Sequence, residues 1–258
     1  MQIALLRGAG GLLLVVVLAR GRVCALIRTG QPLLQISRGL TTVAYLWVFA
    51  FSYSTLPLTD ATGLSYSTAI YIVLLAPLIL GERVGAARWI AVAVGFGGAM
   101  LIVKPGFQTF SLAYLLVLAG TSLNGLAFVL TKLLERRDSP LTVMLWLNVI
   151  TILCFSPGLH GVSEMPPSPW LIGLLVLGPA GQYLGILALR HADASMLAPL
   201  NYVRLILAGG AAFLVFGEWP DLASILGATV IFASCVLAVR WDRRDAILAG
   251  KASELPPV

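Results

Sequence analysis

Apolar residues come in long uninterrupted runs along this chain, and the polar residues collect in short clusters between them. The runs lie over residues 2–19, 36–54, 59–80, 86–103, 110–131, 141–157, 169–189, 196–216 and 221–239. Each is close to the ~20 residues that cross a hydrocarbon core. A backbone in lipid must satisfy its own hydrogen bonds, so runs of this kind predict helices. The nine predicted spans describe an all-α polytopic membrane protein. Their connections are short, and the longest, 158–168, is rich in proline and carries Glu164. The order of Arg7 and the apolar run that follows is that of a signal peptide. Arg20 and Arg22 close the run directly, however, and no small-x-small cleavage site separates them, so the segment reads as a mature span.

Composition agrees with the pattern: 59% of the 258 residues are hydrophobic and 11% are charged, with a mean hydropathy of +0.95. Soluble domains carry roughly 25% charged residues. Cys24, Cys154 and Cys235 stand far apart, in neither a disulfide framework nor a metal-ligand spacing. A net charge of +6 would suit nucleic acid in a soluble protein, but here its distribution decides otherwise. If the C-terminus is cytoplasmic, Lys104 is the basic residue on the far side, and Arg7 and Arg204 fall inside spans. The rest of the 17, Arg38 among them, gather on the cytoplasmic side. Positive charge retained inside predicts an external N-terminus and a cytoplasmic C-terminus.

An internal repeat runs at a fixed offset of 136 residues, as from Tyr66 to Tyr202. Leu64 pairs with Leu200, Ala76 with Ala212, Leu78 with Leu214, and Gly81-Glu82 with Gly217-Glu218; Val94 with Val230 and Leu101 with Leu237 extend the match. Five spans separate the copies, so the two Gly-Glu pairs face opposite sides and the halves are inverted. The halves fall at 1–105 and 106–241, with a cytoplasmic tail over 242–258. Inverted repeats recur in secondary transporters, with the substrate site near the midplane where the halves meet.

Leu56-Pro57-Leu58-Thr59-Asp60-Ala61-Thr62, followed by Leu80-Gly81-Glu82-Arg83-Val84, resembles the EamA-type signature of the drug/metabolite transporter superfamily. In the second half, Ala188-Leu189-Arg190-His191-Ala192-Asp193-Ala194-Ser195, Ala198-Pro199-Leu200-Asn201-Tyr202 and Phe216-Gly217-Glu218-Trp219-Pro220 resemble the corresponding stretch. The resemblance implies ten helices in two inverted sets of five, and cargoes such as amino acids, other carboxylates, vitamins, S-adenosylmethionine or drugs. This sequence carries four spans ahead of its second half, and 2–19 resembles the family's second helix. The expectation is that a counterpart of the first helix is lacking here.

Arg204 is the most informative candidate, since a charge eight positions into the span 196–216 would lie roughly 12 Å deep at 1.5 Å per residue. An intramembrane cation costs ~2.5 kcal/mol or more and suits a substrate carboxylate or phosphate; its structural alternative is an arginine that snorkels or bonds a carbonyl within the bundle. Asn201 and Tyr202 sit beside it. Gln182, Tyr183, Asn124, Tyr66 and Tyr71 offer hydrogen bonds or stacking, although each alone reads more simply as an interhelical contact. Tyr45 and Trp47 rank below them as packing residues. Arg7 is near enough to its span end to snorkel, and Glu82 and Glu218 are placed to cap the helices that follow them. Gly178, Pro179, Gly181 and Gly185 mark the seventh span as the expected bending element.

No phosphate-binding Gly-Lys-Ser/Thr loop, H-E-x-x-H or G-x-S-x-G is present. No catalytic residue, cofactor or metal is expected, and no nucleic-acid partner. The expected partners are a small-molecule substrate and the lipid bilayer of the inner membrane, and a homodimer is compatible with the sequence. The reading is a secondary transporter of a small anionic or zwitterionic metabolite. A non-transporting membrane subunit and an intramembrane enzyme are the alternatives.

Overall fold

The computed structural model describes residues 2–106, 112–156, 169–217, 219 and 221–253. In chain order the helices are α1 (Gln2–Ala19), α2 (Val23–Ile27), α3 (Pro32–Thr55), α4 (Leu58–Ser65), α5 (Thr68–Leu80) and α6 (Ala86–Val103). They continue as α7 (Leu112–Glu135), α8 (Pro140–Phe155), α9 (Pro169–His191), α10 (Ala194–Leu197), α11 (Val203–Phe216) and α12 (Leu222–Ser253). Among the described residues there is no strand. The predicted connection 158–168, Glu218, Pro220 and the end of the tail beyond Ser253 lie outside them.

Large apolar side chains are exposed, Leu33, Leu78, Leu177 and Leu214 for example, whereas Gln35, Asp60, Thr121, Asn148, Ser195 and Ser234 are buried. That is the distribution expected when the surrounding solvent is hydrocarbon and polar groups must find partners inside. Among the described residues, five stretches are long and apolar enough to cross a membrane: Pro32–Ser52, Leu58–Leu80, Ala86–Val103, Leu112–Glu135 and Leu222–Trp241. Ile3–Ala19 and Pro140–Phe155 are shorter apolar helices. The chain is an all-α, multi-pass membrane protein.

Two predicted spans are not single helices. The third breaks at Tyr66-Ser67 into α4 and α5, and the eighth breaks into α10, a 3-10 turn at Pro199–Tyr202, and α11. At the first break the backbone tightens: Tyr66 N bonds Gly63 O at 3.2 Å and Ser67 N bonds Leu64 O at 2.9 Å. The Ser65 hydroxyl donates to Thr62 O and the Thr68 hydroxyl to Ser65 O, so hydroxyls occupy carbonyls that regular helix bonds would have used. At the second break Pro199 has no N–H to continue the ladder. The seventh span, where bending was expected, is continuous as α9 with Pro179 inside it. A proline removes one ladder bond, and a membrane helix tolerates that when its surroundings satisfy the freed carbonyl.

α5 and α11 end on Gly81 and Gly217, equivalent positions in the repeat, with φ of +70° and +69°. Only glycine adopts this left-handed helix stop without a Cβ penalty, which explains the glycine in each Gly-Glu pair.

The helices cluster into two compact units, 1–54 with 122–192 and 55–121 with 193–258. This division cuts across the sequence halves, because each unit takes helices from both. In the first, α1 packs chiefly on α8 and α9. In the second, α6 packs chiefly on α12, and the approach is close: a Cβ on Gly98 would stand 2.9 Å from Gly227 O, and one on Gly227 2.6 Å from Gly98 O.

Candidate functional site

The second unit brings both helix breaks together. Tyr66, at the α4–α5 break, and Tyr202, at the end of the 3-10 turn, are equivalent in the repeat, and their rings meet at 6.1 Å and 40°. Tyr202 is fully buried; its hydroxyl donates to Val92 O at 3.2 Å and its ring fills the space left by Gly95. It is therefore a packing residue whose polar atom is already used. The Tyr66 ring, also buried, supports Arg204, whose guanidinium carbon lies 4.7 Å above the ring centre. Arg204 Nη2 stands 3.5 Å from Ser65 Oγ, at the limit of a hydrogen bond.

Arg204 differs from its sequence reading in one respect. Counted from Met196 along an unbroken helix it would be a buried cation. The break at Pro199 resets that count, and Arg204 becomes the second residue of α11, with its side chain exposed. A guanidinium held over an aromatic face keeps N–H donors that the ring does not use. α11 follows directly on the 3-10 turn, and its first N–H, that of Val203, is used within that turn, bonding Leu200 O. Asn201 is half-buried, and its amide donates to Ala198 O at 3.2 Å, so that donor serves its own turn. Tyr71 is half-buried on α5.

Below this cluster α10 is fastened by charge. Glu82 accepts from Ala194 N at 2.8 Å, Ser195 N at 3.0 Å and Ser195 Oγ at 2.6 Å. Sequence order suggested that Glu82 caps the following helix, but α6 begins at Ala86 behind a Gly85 N-cap and has no side-chain cap. Glu82 caps α10 instead, because Asp193, in the N-cap position of α10, turns to Arg88 at 3.0 Å. Arg88 Nη1 also donates to Ser195 Oγ at 2.6 Å. At another edge of the unit, buried Asp60 accepts from Tyr114 Oη and Gly106 N, each at 2.6 Å. Exposed Lys104 pairs with Asp221 and holds that carboxyl well below the usual carboxylate range. An apolar depression lined by Leu200, Cys235, Val236, Val239 and Arg240 contains none of the candidate residues.

The remaining candidates belong to the first unit. Tyr183 packs against the core of Val15, Leu134, Val143 and Met144, which is the interhelical role. Gln182 is half-buried on α9, with Nε2 buried and unbonded among the described residues. Asn124 is half-buried on α7. Trp47 stacks on Phe155 at 5.6 Å, and Tyr45 meets Phe49 at 4.9 Å, as packing residues do. Arg7 is exposed and lies along Gly178 of α9.

The first unit also holds a polar cluster that the hydropathy pattern hid. Arg38, counted with the cytoplasmic basic residues, is buried on α3 and donates to Thr131 Oγ1 at 2.9 Å and Val143 O at 3.2 Å. Buried Asp138 accepts from Thr29 Oγ1 and from Gln35 Nε2, the latter at 2.8 Å. Arg38 lies only two residues inside the predicted span 36–54, where it read as a charge at the cytoplasmic end; α3 begins earlier, at Pro32, and so takes in Gln35 as well and sets Arg38 a turn and a half along the helix.

Residues 111–240 match the EamA-like transporter family. A riboflavin transporter of Rhizobium johnstonii is 31% identical over 224 residues, covering 85% of this chain and 74% of its own. The chain belongs to the EamA-like transporter family. An S-adenosylmethionine uptake transporter of Rickettsia prowazekii is 26% identical over 222 residues, covering 85% of this chain and 76% of its own. A pseudopaline exporter of Pseudomonas aeruginosa is 27% identical over 247 residues, covering 94% and 87%. A crystal structure with a TM-score of 0.77 and 20% identity, covering 94% of this chain and 87% of its own, shares the fold. The family and these relatives carry small-metabolite transport rather than enzyme chemistry, and the matched residues take in the second helix break, Arg204 and α12 as far as Arg240.

Proposed function

We propose that the protein is a secondary transporter of the inner membrane that moves a small anionic or zwitterionic metabolite by alternating access, with Arg204 as its anion-binding group. One observation carries the reading: the Arg204 guanidinium lies exposed on the face of Tyr66, beside the two helix breaks. Broken helices whose half-helix N-termini face anionic cargo are a recurring way to build such sites. The equivalence of Tyr66 and Tyr202, in contact across the repeat, supports a two-fold relation between inverted halves. The charge distribution supports a cytoplasmic C-terminus. The relatives include both an uptake protein and an exporter, so direction of transport is a separate question from cargo class.

The test is reconstitution of the purified chain in liposomes with labelled riboflavin and S-adenosylmethionine as first probes, in competition with panels of carboxylate-bearing and purely cationic metabolites. The expected result is saturable exchange, inhibited by the carboxylate panel and lost in Arg204→Gln at unchanged insertion. Inhibition confined to the cationic panel, or wild-type exchange by the variant, overturns the assignment.

A further inference from the structure

Glu135, the last residue of α7, is 6% exposed, and neither carboxylate oxygen has a hydrogen-bond donor among the described residues. The charged groups near enough to act on it are Arg38 of α3, Arg190 of α9, Lys132 of its own helix and Asp138 beyond it. None of them donates to it. Arg38 spends its Nε on Thr131 and its Nη1 on Val143 O, while Lys132 Nζ spends its protons on Leu189 O at 2.7 Å and Ala192 O at 2.8 Å. Arg190 is exposed, and Asp138 is a carboxylate engaged with Thr29 and Gln35. Gln35, fully buried, has an amide oxygen with no donor, in the same polar cluster.

A buried carboxylate that accepts no hydrogen bond is costly when ionised, and nearby cations offset that cost only partly when they do not bond it. A proton removes the charge and converts the group into a hydrogen-bond donor. Arg136 and Arg137, exposed, follow immediately, so the site adjoins water at that end of the span. We propose that Glu135 is a proton-loading site that couples transport to the proton gradient. One proton from water on the Arg136 and Arg137 side adds to a carboxylate oxygen and gives the neutral carboxyl. The same O–H bond breaks later in the cycle, returning one proton to water and restoring the carboxylate. The coupling rests on the transporter reading; the loading itself does not.

Infrared difference spectra of the full chain in lipid nanodiscs, taken through a pH titration, test the loading. Wild type is expected to hold a protonated carboxyl at neutral pH that ionises as pH rises, with its band absent from Glu135→Gln and displaced in Glu135→Asp. Identical titrations of wild type and Glu135→Gln overturn the proposal. If the Gln variant does not insert, an undisplaced band in the Asp variant overturns it equally. In liposomes, with riboflavin and S-adenosylmethionine as probes, the ratio of gradient-driven accumulation to exchange should fall about tenfold or more in Glu135→Gln. An unchanged ratio overturns the coupling. Movement of neither probe by wild type counts against those cargoes, and the spectra still decide the carboxyl.

Discussion

Arginine and lysine carry the same charge at position 204 but not the same shape. Arg204 sits over the Tyr66 ring and offers a planar fork to a carboxylate, whereas an ammonium has neither a stacking plane nor paired donors. Arg204→Lys should therefore weaken apparent affinity by about tenfold, roughly 1.4 kcal/mol, and Arg204→Gln by a further factor of similar size. Exchange kinetics in liposomes measure both. Asp60 calls for another kind of readout, since it is buried and bonded to Tyr114 and Gly106. Removing one partner of a buried pair leaves the other unsatisfied. Tyr114→Phe should cost about 1–3 kcal/mol in unfolding from detergent micelles, with Asp60→Asn in the same range. A loss below a few tenths of a kcal/mol in both would mean the contact is not made in solution.

Helix packing in the second unit depends on which face of α6 carries its glycines. Gly98 sits against the Gly227 backbone, while Gly97, its neighbour, has no atom within 4 Å of a built Cβ. Gly98→Ala should destabilise by about 1–3 kcal/mol through overpacking. Gly97→Ala should be neutral or gain up to ~1 kcal/mol from helix propensity. Thermal unfolding of the two variants in one detergent separates them, and equal shifts would contradict the crossing. The composition of a helix does not reveal such a contact, because both glycines look alike in an apolar run. The breaks were hidden for a similar reason. Tyr66-Ser67 contains neither glycine nor proline, so nothing interrupts the hydropathy of the third span, and the tightening there comes from hydroxyls taking backbone carbonyls. Pro179 is an interruption in the sequence that the structure absorbs. Span 86–103, in contrast, coincides with α6, because its Gly85 start and Lys104 stop flank the apolar run.

At the scale of the whole molecule, the helical membrane class and the transporter family were legible in apolar length and in the repeated Gly-Glu pair. The polar cluster around Arg38, Gln35 and Asp138 was not, because polar residues between apolar runs read as solvated and their burial comes from packing among distant segments. Orientation is open to direct measurement. Reporter fusions after Lys251 should read cytoplasmic and fusions within 158–168 external, given the basic residues gathered on one side. The opposite pattern would invert the topology.

The two compact units each take an earlier and a later stretch of the chain, and this sets a timetable for biogenesis. A ribosome delivers α1 and α6 to the bilayer well before α8 and α12, the helices on which they chiefly pack. Until then α6 waits in lipid with Gly95 and Gly98 facing no partner, and Tyr202, which fills the space beside Gly95, has yet to be synthesised. Neither unit can close before the second half has emerged. A chain stalled midway therefore presents the membrane's quality-control proteases with two half-built bodies rather than one finished domain and one missing one.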